Sequence, residues 1–146
     1  MTAVSDAHRS GCLRGLRILI VEDEALIAMA YEDLLADLGC EVVGPAPSVA
    51  QALAILATDR PSAALLDVNL DGEISAPVAA RLHRSGIPFL VVTGYEELAV
   101  GDAVLEAAPR LRKPVVPGVL IQAMQAVFCP GRGSGPPRRG AAADRA

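Results

Sequence analysis

The sequence predicts an α/β fold built on a doubly wound parallel sheet, and three observations lead there. Short apolar runs alternate with helix-patterned segments five times along the chain. Such alternation gives a parallel sheet with right-handed crossovers and helices on both faces. The runs are near-continuous in Ile, Leu and Val, as in strands buried on both faces. Polar residues (Glu22-Asp23, Asp67, Thr93, Lys113) close four of the five runs. Parallel strands bring their C-terminal ends to one edge, where open α/β sheets carry their sites. The expected strand order is 2-1-3-4-5, with the switch point between the first and third strands.

Each element has a local reason. Residues 1–15 are polar, small and aperiodic, and read as a flexible leader. Leu16–Val21 is a β-branched first strand. A helix from Ala25 to Leu38 carries Ile27, Ala30, Tyr31, Leu34 and Leu38 at helical spacing, and Gly39 suits its C′ position. Glu41–Gly44 is a short second strand. Ser48 and Gln51 form a capping box for a helix whose apolar face is Val49, Ala52, Leu53 and Leu56, stopped at Arg60-Pro61. Ala63–Leu70 is the stretch of the third strand, which ends in Asp67, and Asp71-Gly72 closes the loop after it. Ser75-Ala76-Pro77 opens a third helix, which Gly86 ends. Ile87–Val92 is the fourth strand, ahead of Thr93-Gly94-Tyr95. Glu96 to Ala108 is weakly patterned and interrupted by Gly101, so a short or mobile helix is expected. Pro109–Arg112 is a brief fifth strand, followed by Lys113-Pro114. Leu120, Ile121, Met124, Val127 and Phe128 stripe the last helix. One domain over 16–129 is expected, with a disordered Gly/Pro/Arg-rich tail over 130–146.

Composition narrows the function. A chain of 146 residues with 52% hydrophobic and 3% aromatic residues supports one aliphatic core. A net charge of -4 argues against general nucleic-acid binding. No apolar run reaches the roughly 18 residues of a membrane span, and the charged start is not a signal peptide. The three cysteines, Cys12, Cys40 and Cys129, follow no metal or disulfide spacing. Neither a disulfide framework nor a zinc site is expected, and the expected setting is the reducing cytoplasm. His83 is expected on an exposed helix face.

The switch point carries the chemistry. Carboxylates from Glu22, Asp23 and Asp67 repel one another unless a cation holds them. Hard oxygen ligands suit Mg²⁺, and the Asn69 carbonyl adds a fourth oxygen. Phosphoryl transfer needs a nucleophile, here Asp67, and fixed charges on the phosphoryl oxygens. Mg²⁺, the Lys113 ammonium and the Thr93 hydroxyl are the expected set. Taken singly, paired acids favour a helix N-terminus, and Thr-Gly or Lys-Pro marks a turn. Together, at the strand ends of one alternating pattern, they make a phosphoacceptor site the better reading.

In these motifs the sequence resembles the receiver domain of bacterial two-component response regulators, over Leu16 to Phe128. The matching stretches are Ile-Leu-Ile-Val-Glu22-Asp23-Glu, Leu-Leu-Asp67-Val-Asn-Leu, Val-Val-Thr93-Gly and Arg-Lys113-Pro114. The resemblance implies a flavodoxin-like fold and a phosphoryl group received on Asp67 from a histidine kinase or histidine phosphotransfer protein. It implies Mg²⁺ held by Glu22, Asp23, Asp67 and the Asn69 carbonyl, and a cis peptide before Pro114. More narrowly, Asp67-Val-Asn-Leu-Asp-Gly-Glu and Pro88-Phe89-Leu-Val-Val-Thr93-Gly94-Tyr95 are similar to the stand-alone receivers nicknamed FAT GUY, which occur in alphaproteobacterial signalling and often in stress responses. Here Val92 stands where the nickname has Ala.

Two departures stand out. Receivers usually carry a switch aromatic three residues before the lysine, and this chain has Arg110; Tyr95 is the expected substitute. The loop after Asp67 is short and lacks a common proline. No output domain is expected after Phe128, so signalling would run through a protein effector, with no nucleic acid or membrane partner. The expected protein is a non-enzymatic phosphoacceptor. An aspartate-nucleophile phosphatase would need an acid where Asn69 stands, and an amide cannot donate that proton. A nucleotide- or flavin-binding domain would need a Gly/Ser/Thr-rich first loop in place of Glu22-Asp23-Glu24. The remaining alternative is a receiver-fold interaction module that works without phosphorylation.

Overall fold

The computed structural model describes residues 11–94 and 101–129. Five parallel strands form the main sheet: β1 (Arg17–Val21), β2 (Glu41–Ala46), β3 (Ala63–Asp67), β6 (Phe89–Thr93) and β7 (Arg110–Arg112), in the order β2-β1-β3-β6-β7. Counting only these strands, that is the expected 2-1-3-4-5. The helices among the described residues are α1 (Ala25–Asp37), α2 (Val49–Thr58), α3 (Ala76–Arg84), α4 (Ala103–Ala107) and α5 (Pro117–Phe128).

The sheet separates two apolar layers. Leu19, Val21, Ala64, Leu66 and Val91 face α2 and α3. Ile18, Ile20, Ala63, Leu65 and Leu90 face α1 and α5. All residues of β3 and β6 are buried, which is why those runs read as continuous rather than alternating. The capping box at Ser48 forms: Ser48 Oγ accepts the Gln51 backbone N–H at 3.1 Å. Gly39 takes φ 84° after α1, a conformation that costs a glycine no Cβ clash.

Four expectations change. The third strand ends at Asp67 as expected, but the loop after it is a small antiparallel hairpin, β4 (Asn69–Leu70) with β5 (Glu73–Ile74). Asp71 and Gly72 both have positive φ, 54° and 91°, the requirement of a tight two-residue hairpin turn, which Asp-Gly meets. On α1 the buried residues are Ala28, Tyr31 and Leu35, while Ala30 is exposed. The other expected residues, Ile27, Tyr31, Leu34 and Leu38, do pack on the core, and Ala28 and Leu35 widen the stripe.

The other two changes concern the start of the domain. Residues 11–15 are not a loose leader: they form a turn in which Leu13 is wholly buried. Gly15 N donates to Gly39 O at 2.8 Å, and the Cys40 thiol donates to Leu13 O at 3.4 Å. Finally, Cys12 and Cys129 are joined as a disulfide across 117 residues, against the expectation of unpaired thiols. Spacing carried no sign of it, because the fold alone brings the start of the domain beside the end of α5. The tail over 130–146 lies outside the described residues. No helix among the described residues is long and apolar enough to cross a membrane.

Candidate functional site

Strand register assembles the site. β1 and β3 are parallel neighbours with Val21 opposite Leu66, so Glu22 and Asp67 leave the sheet side by side. Asp67 pairs with Val92 of β6, and Thr93 of β6 pairs with Arg112 of β7. Lys113 N then donates to Thr93 O at 2.9 Å, which sets the lysine at the same edge. Five sequence-predicted residues from four strand ends therefore share one edge of the sheet.

Glu22, Asp67 and Thr93 are almost wholly buried, at 2%, 4% and 1% exposure, and Asp23 is half-buried. One carboxylate oxygen from each of Glu22, Asp23 and Asp67 lies within 4.8 Å of the others. The Lys113 ammonium reaches in, 3.1 Å from Asp67 Oδ2 and 3.3 Å from Glu22 Oε1. Glu22 Oε2 accepts the Glu24 backbone N–H at 3.1 Å. Glu22 Oε1 is buried without a hydrogen-bond partner among the described residues; the nearby ammonium is an ion-pair contact out of hydrogen-bond alignment.

This crowding shifts the acid–base chemistry. Burial, and then the Glu22 carboxylate, push Asp67 up to about 7, although the Lys113 ammonium pulls the other way. Burial works against the Lys113 charge, but Asp67 and Glu22 outweigh it and hold the ammonium up at about 12. Tyr31, buried on α1, is also raised to about 12, by burial and then by the charge of Glu22. The pocket thus holds more negative charge than one lysine balances. Three converging carboxylates and an unpartnered buried oxygen form a hard-oxygen donor set that fits a divalent cation such as Mg²⁺.

The remaining predicted residues sit as follows. Asn69 begins β4, and its side-chain Oδ1 accepts the Gly72 N–H at 2.7 Å. Its side chain is committed to the hairpin, which leaves the carbonyl as its means of reaching a cation. Thr93 Oγ1 donates to Gly94 O at 3.1 Å. The Lys113–Pro114 peptide is cis, as the resemblance implied. Arg110 Nη2 donates to the carbonyl of Leu105, tying β7 to α4. Tyr95 lies outside the described residues.

Two residues near the site escaped the sequence reading. Tyr31 was read only as part of the apolar stripe of α1. Ser75, which was read only as the start of a helix, is fully buried and donates its hydroxyl to the Asp67 carbonyl at 2.6 Å. A serine before Ala-Pro is an ordinary helix opening, so its sequence context held no signal for that contact.

An acidic pocket with an opposed lysine, at the strand-end edge of a parallel sheet ordered 2-1-3-4-5, defines a recognisable class, the receiver domains of two-component signalling. The pattern of the response regulator receiver domain family matches residues 18–125, and the chain belongs to that family. It is 35% identical over 103 residues to the phyllosphere-induced regulator PhyR of Methylorubrum extorquens, covering 68% of this chain and 39% of PhyR. The chain therefore spans well under half of that relative. Among solved structures it is similar to SdrG of Sphingomonas melonis Fr1, with 42% identity, a TM-score of 0.68, and coverage of 77% of this chain and 95% of SdrG. The response regulator PhyR of Brucella abortus matches at 28% identity with a TM-score of 0.72, over 86% of this chain and 53% of that one.

Proposed function

We propose that this receiver accepts a phosphoryl group on Asp67 and signals by binding a protein partner. The observation that carries the reading is the meeting of Glu22, Asp23 and Asp67 within 4.8 Å, with Lys113 Nζ 3.1 Å from Asp67 Oδ2. An Asp67 oxygen attacks the phosphorus of a phosphohistidine; the P–N bond breaks, its electron pair leaves with the imidazole, and an acyl phosphate forms. The Lys113 ammonium, already on the Asp67 carboxylate, pairs with the incoming phosphoryl oxygens. The Thr93 hydroxyl gives up the Gly94 carbonyl and donates to another of those oxygens. Glu22, Asp23, Asp67 and the Asn69 carbonyl are the residues to hold Mg²⁺, which when bound neutralises charge on the phosphoryl oxygens.

The phosphodonor is a histidine kinase or a histidine phosphotransfer protein, and the output partner is a protein. Exposed aliphatic side chains support a protein partner at this edge. Leu26 and Met29 are 80% and 55% exposed just after Glu22-Asp23, and Val116 and Val119 are 62% and 49% exposed just after Lys113-Pro114. α1 and α5 pack on the same face of the sheet, so these residues share one side of the molecule. The resemblance to PhyR and SdrG supports a role in the same kind of signalling.

The test is incubation with Mg²⁺ and acetyl phosphate, followed by intact mass, beside Asp67→Ala. A Mg²⁺-dependent gain of one phosphoryl group in the wild type alone is the expected result. No gain, with Mg²⁺ binding demonstrated by calorimetry, would leave the phosphorylation-independent module. Arg110 is the observation that favours that second reading, because it replaces a rotating aromatic with a side chain bonded to α4.

A further inference from the structure

Ser75 occupies the N-cap position of α3 and does not cap it. N-cap serines accept a backbone N–H from the first turn, as Ser48 does for α2. The Ser75 side chain makes no such bond. Its hydroxyl points back across the β4–β5 hairpin and donates to the main-chain carbonyl of Asp67 at 2.6 Å. The residue is fully buried, so no water competes for the hydroxyl. The backbone repeats the connection one residue on, with Ser75 N donating to Val68 O at 2.8 Å. Two bonds therefore clamp the start of α3 to the peptide units on either side of Val68.

α3 is in turn anchored. Val78, Ala79 and Leu82 are wholly buried in the core on that face of the sheet, and Val78 and Ala79 N–H groups both donate to Ser75 O. The clamp thus refers the Asp67 backbone to a packed helix rather than to the exposed hairpin turn at Asp71-Gly72. From these contacts we infer that Ser75 is a positioning residue for the phosphoacceptor. Through the Asp67 carbonyl it holds the peptide that aims the carboxylate at Glu22, Asp23 and Lys113. The next carbonyl in this stretch, that of Asn69, lies beyond the same clamped peptide, so its aim depends on Ser75 as well. The inference rests on the phosphoacceptor reading and adds to it a residue outside the set of acids, threonine and lysine.

The test compares the wild-type chain with Ser75→Ala, the slightly larger Ser75→Cys and Ser48→Ala. Ser48→Ala removes a helix cap whose side chain pairs with Gln51 rather than with a pocket residue and serves as the stability control. Labelling by acetyl phosphate is followed at saturating Mg²⁺, and Mg²⁺ affinity is measured by calorimetry. Ser75→Ala is expected to label roughly five- to tenfold more slowly at saturating donor, the size of one neutral hydrogen bond, with the half-saturating donor concentration little changed. Ser75→Cys, which keeps the shape of the side chain but only a weak donor, falls between it and the wild type. Ser48→Ala lowers the melting temperature without slowing labelling.

Labelling of Ser75→Ala within about twofold of wild type would overturn the inference. So would an equal slowing in Ser48→Ala, since stability alone would then account for the effect. If Ser75→Ala does not fold, a wild-type rate in Ser75→Cys overturns it equally. A wild-type chain that takes neither label nor Mg²⁺ defeats the phosphoacceptor reading itself, and the inference with it. A labelled wild type confines any failure to Ser75.

Discussion

Asp67 lies between opposed influences, and its pH behaviour follows from them. Burial and the Glu22 carboxylate hold it near 7, well above the roughly 3.9 of an exposed aspartate. The folded state therefore binds more protons than the unfolded chain between those values. Without divalent cations, the contribution of Asp67 to stability is fully present below about pH 4 and is lost as pH rises towards about 7. The melting temperature in a chelator should fall between about pH 4 and about pH 7, and Asp67→Asn should flatten that slope. Mg²⁺ competes with the same proton, so its affinity, measured by calorimetry, should rise across that window. Lys113 is the counterweight. Lys113→Ala leaves Glu22 and Asp67 facing each other without the ammonium that now touches both. It should cost ~2 kcal/mol in chelator, less than a fully buried pair because the lysine is partly exposed. Mg²⁺ should restore much of that in a denaturant melt, while acetyl phosphate labelling stays lost.

At the scale of elements, the β7–α4 edge carries the short helix and brief strand that were expected, together with the Arg110 departure. α4 spans only five residues, Ala103–Ala107, and buries one side chain, Leu105. Its N-cap is sound, with Asp102 accepting the Leu105 N–H, but so short a helix has little intrinsic stability. The Arg110 bond to the Leu105 carbonyl therefore does much to hold it. Arg110→Ala should speed amide exchange in 103–107 roughly tenfold, with Mg²⁺ affinity and the labelling rate unchanged. Unchanged exchange would show that the guanidinium does not restrain α4. The aromatic switch expected at Tyr95 precedes this element and lies outside the described residues. Tyr95→Ala is the direct check: unaltered labelling and partner binding would remove it from the signalling path.

Across the whole molecule, the disulfide joins the two ends of the domain. Cys12 anchors the turn that buries Leu13, and Cys129 follows α5. Closing a loop of this length restricts the unfolded chain strongly. Reduction should lower the melting temperature by roughly 10 °C, and Cys12→Ser should match the reduced protein and ignore the reductant. An identical melting temperature with and without reductant would contradict this. The residues that build the pocket lie between Glu22 and Lys113, so truncation after Cys129 should leave labelling by acetyl phosphate unchanged.

The sheet order, the helix faces of α2 and α5 and the strand ends carrying Glu22, Asp67, Thr93 and Lys113 were all legible in the sequence. Each depends on local periodicity and on the rule that parallel strands present their C-terminal ends at one edge. The hairpin after Asp67 was half legible: Asp71-Gly72 marks the turn, but nothing local reports the pairing of Asn69-Leu70 with Glu73-Ile74. On α1 only Ala30 departed from the expected face, since an alanine carries little sign of the side it takes. What the tertiary structure alone decided are contacts between residues far apart in the chain. They include the Cys12–Cys129 bond, the burial of Leu13, the Arg110 hold on α4 and the Ser75 hydroxyl on the Asp67 carbonyl. Local pattern reports which face of an element is apolar. It does not report which hydroxyl, thiol or guanidinium meets a given partner once the layers close, because that depends on how every intervening element packs.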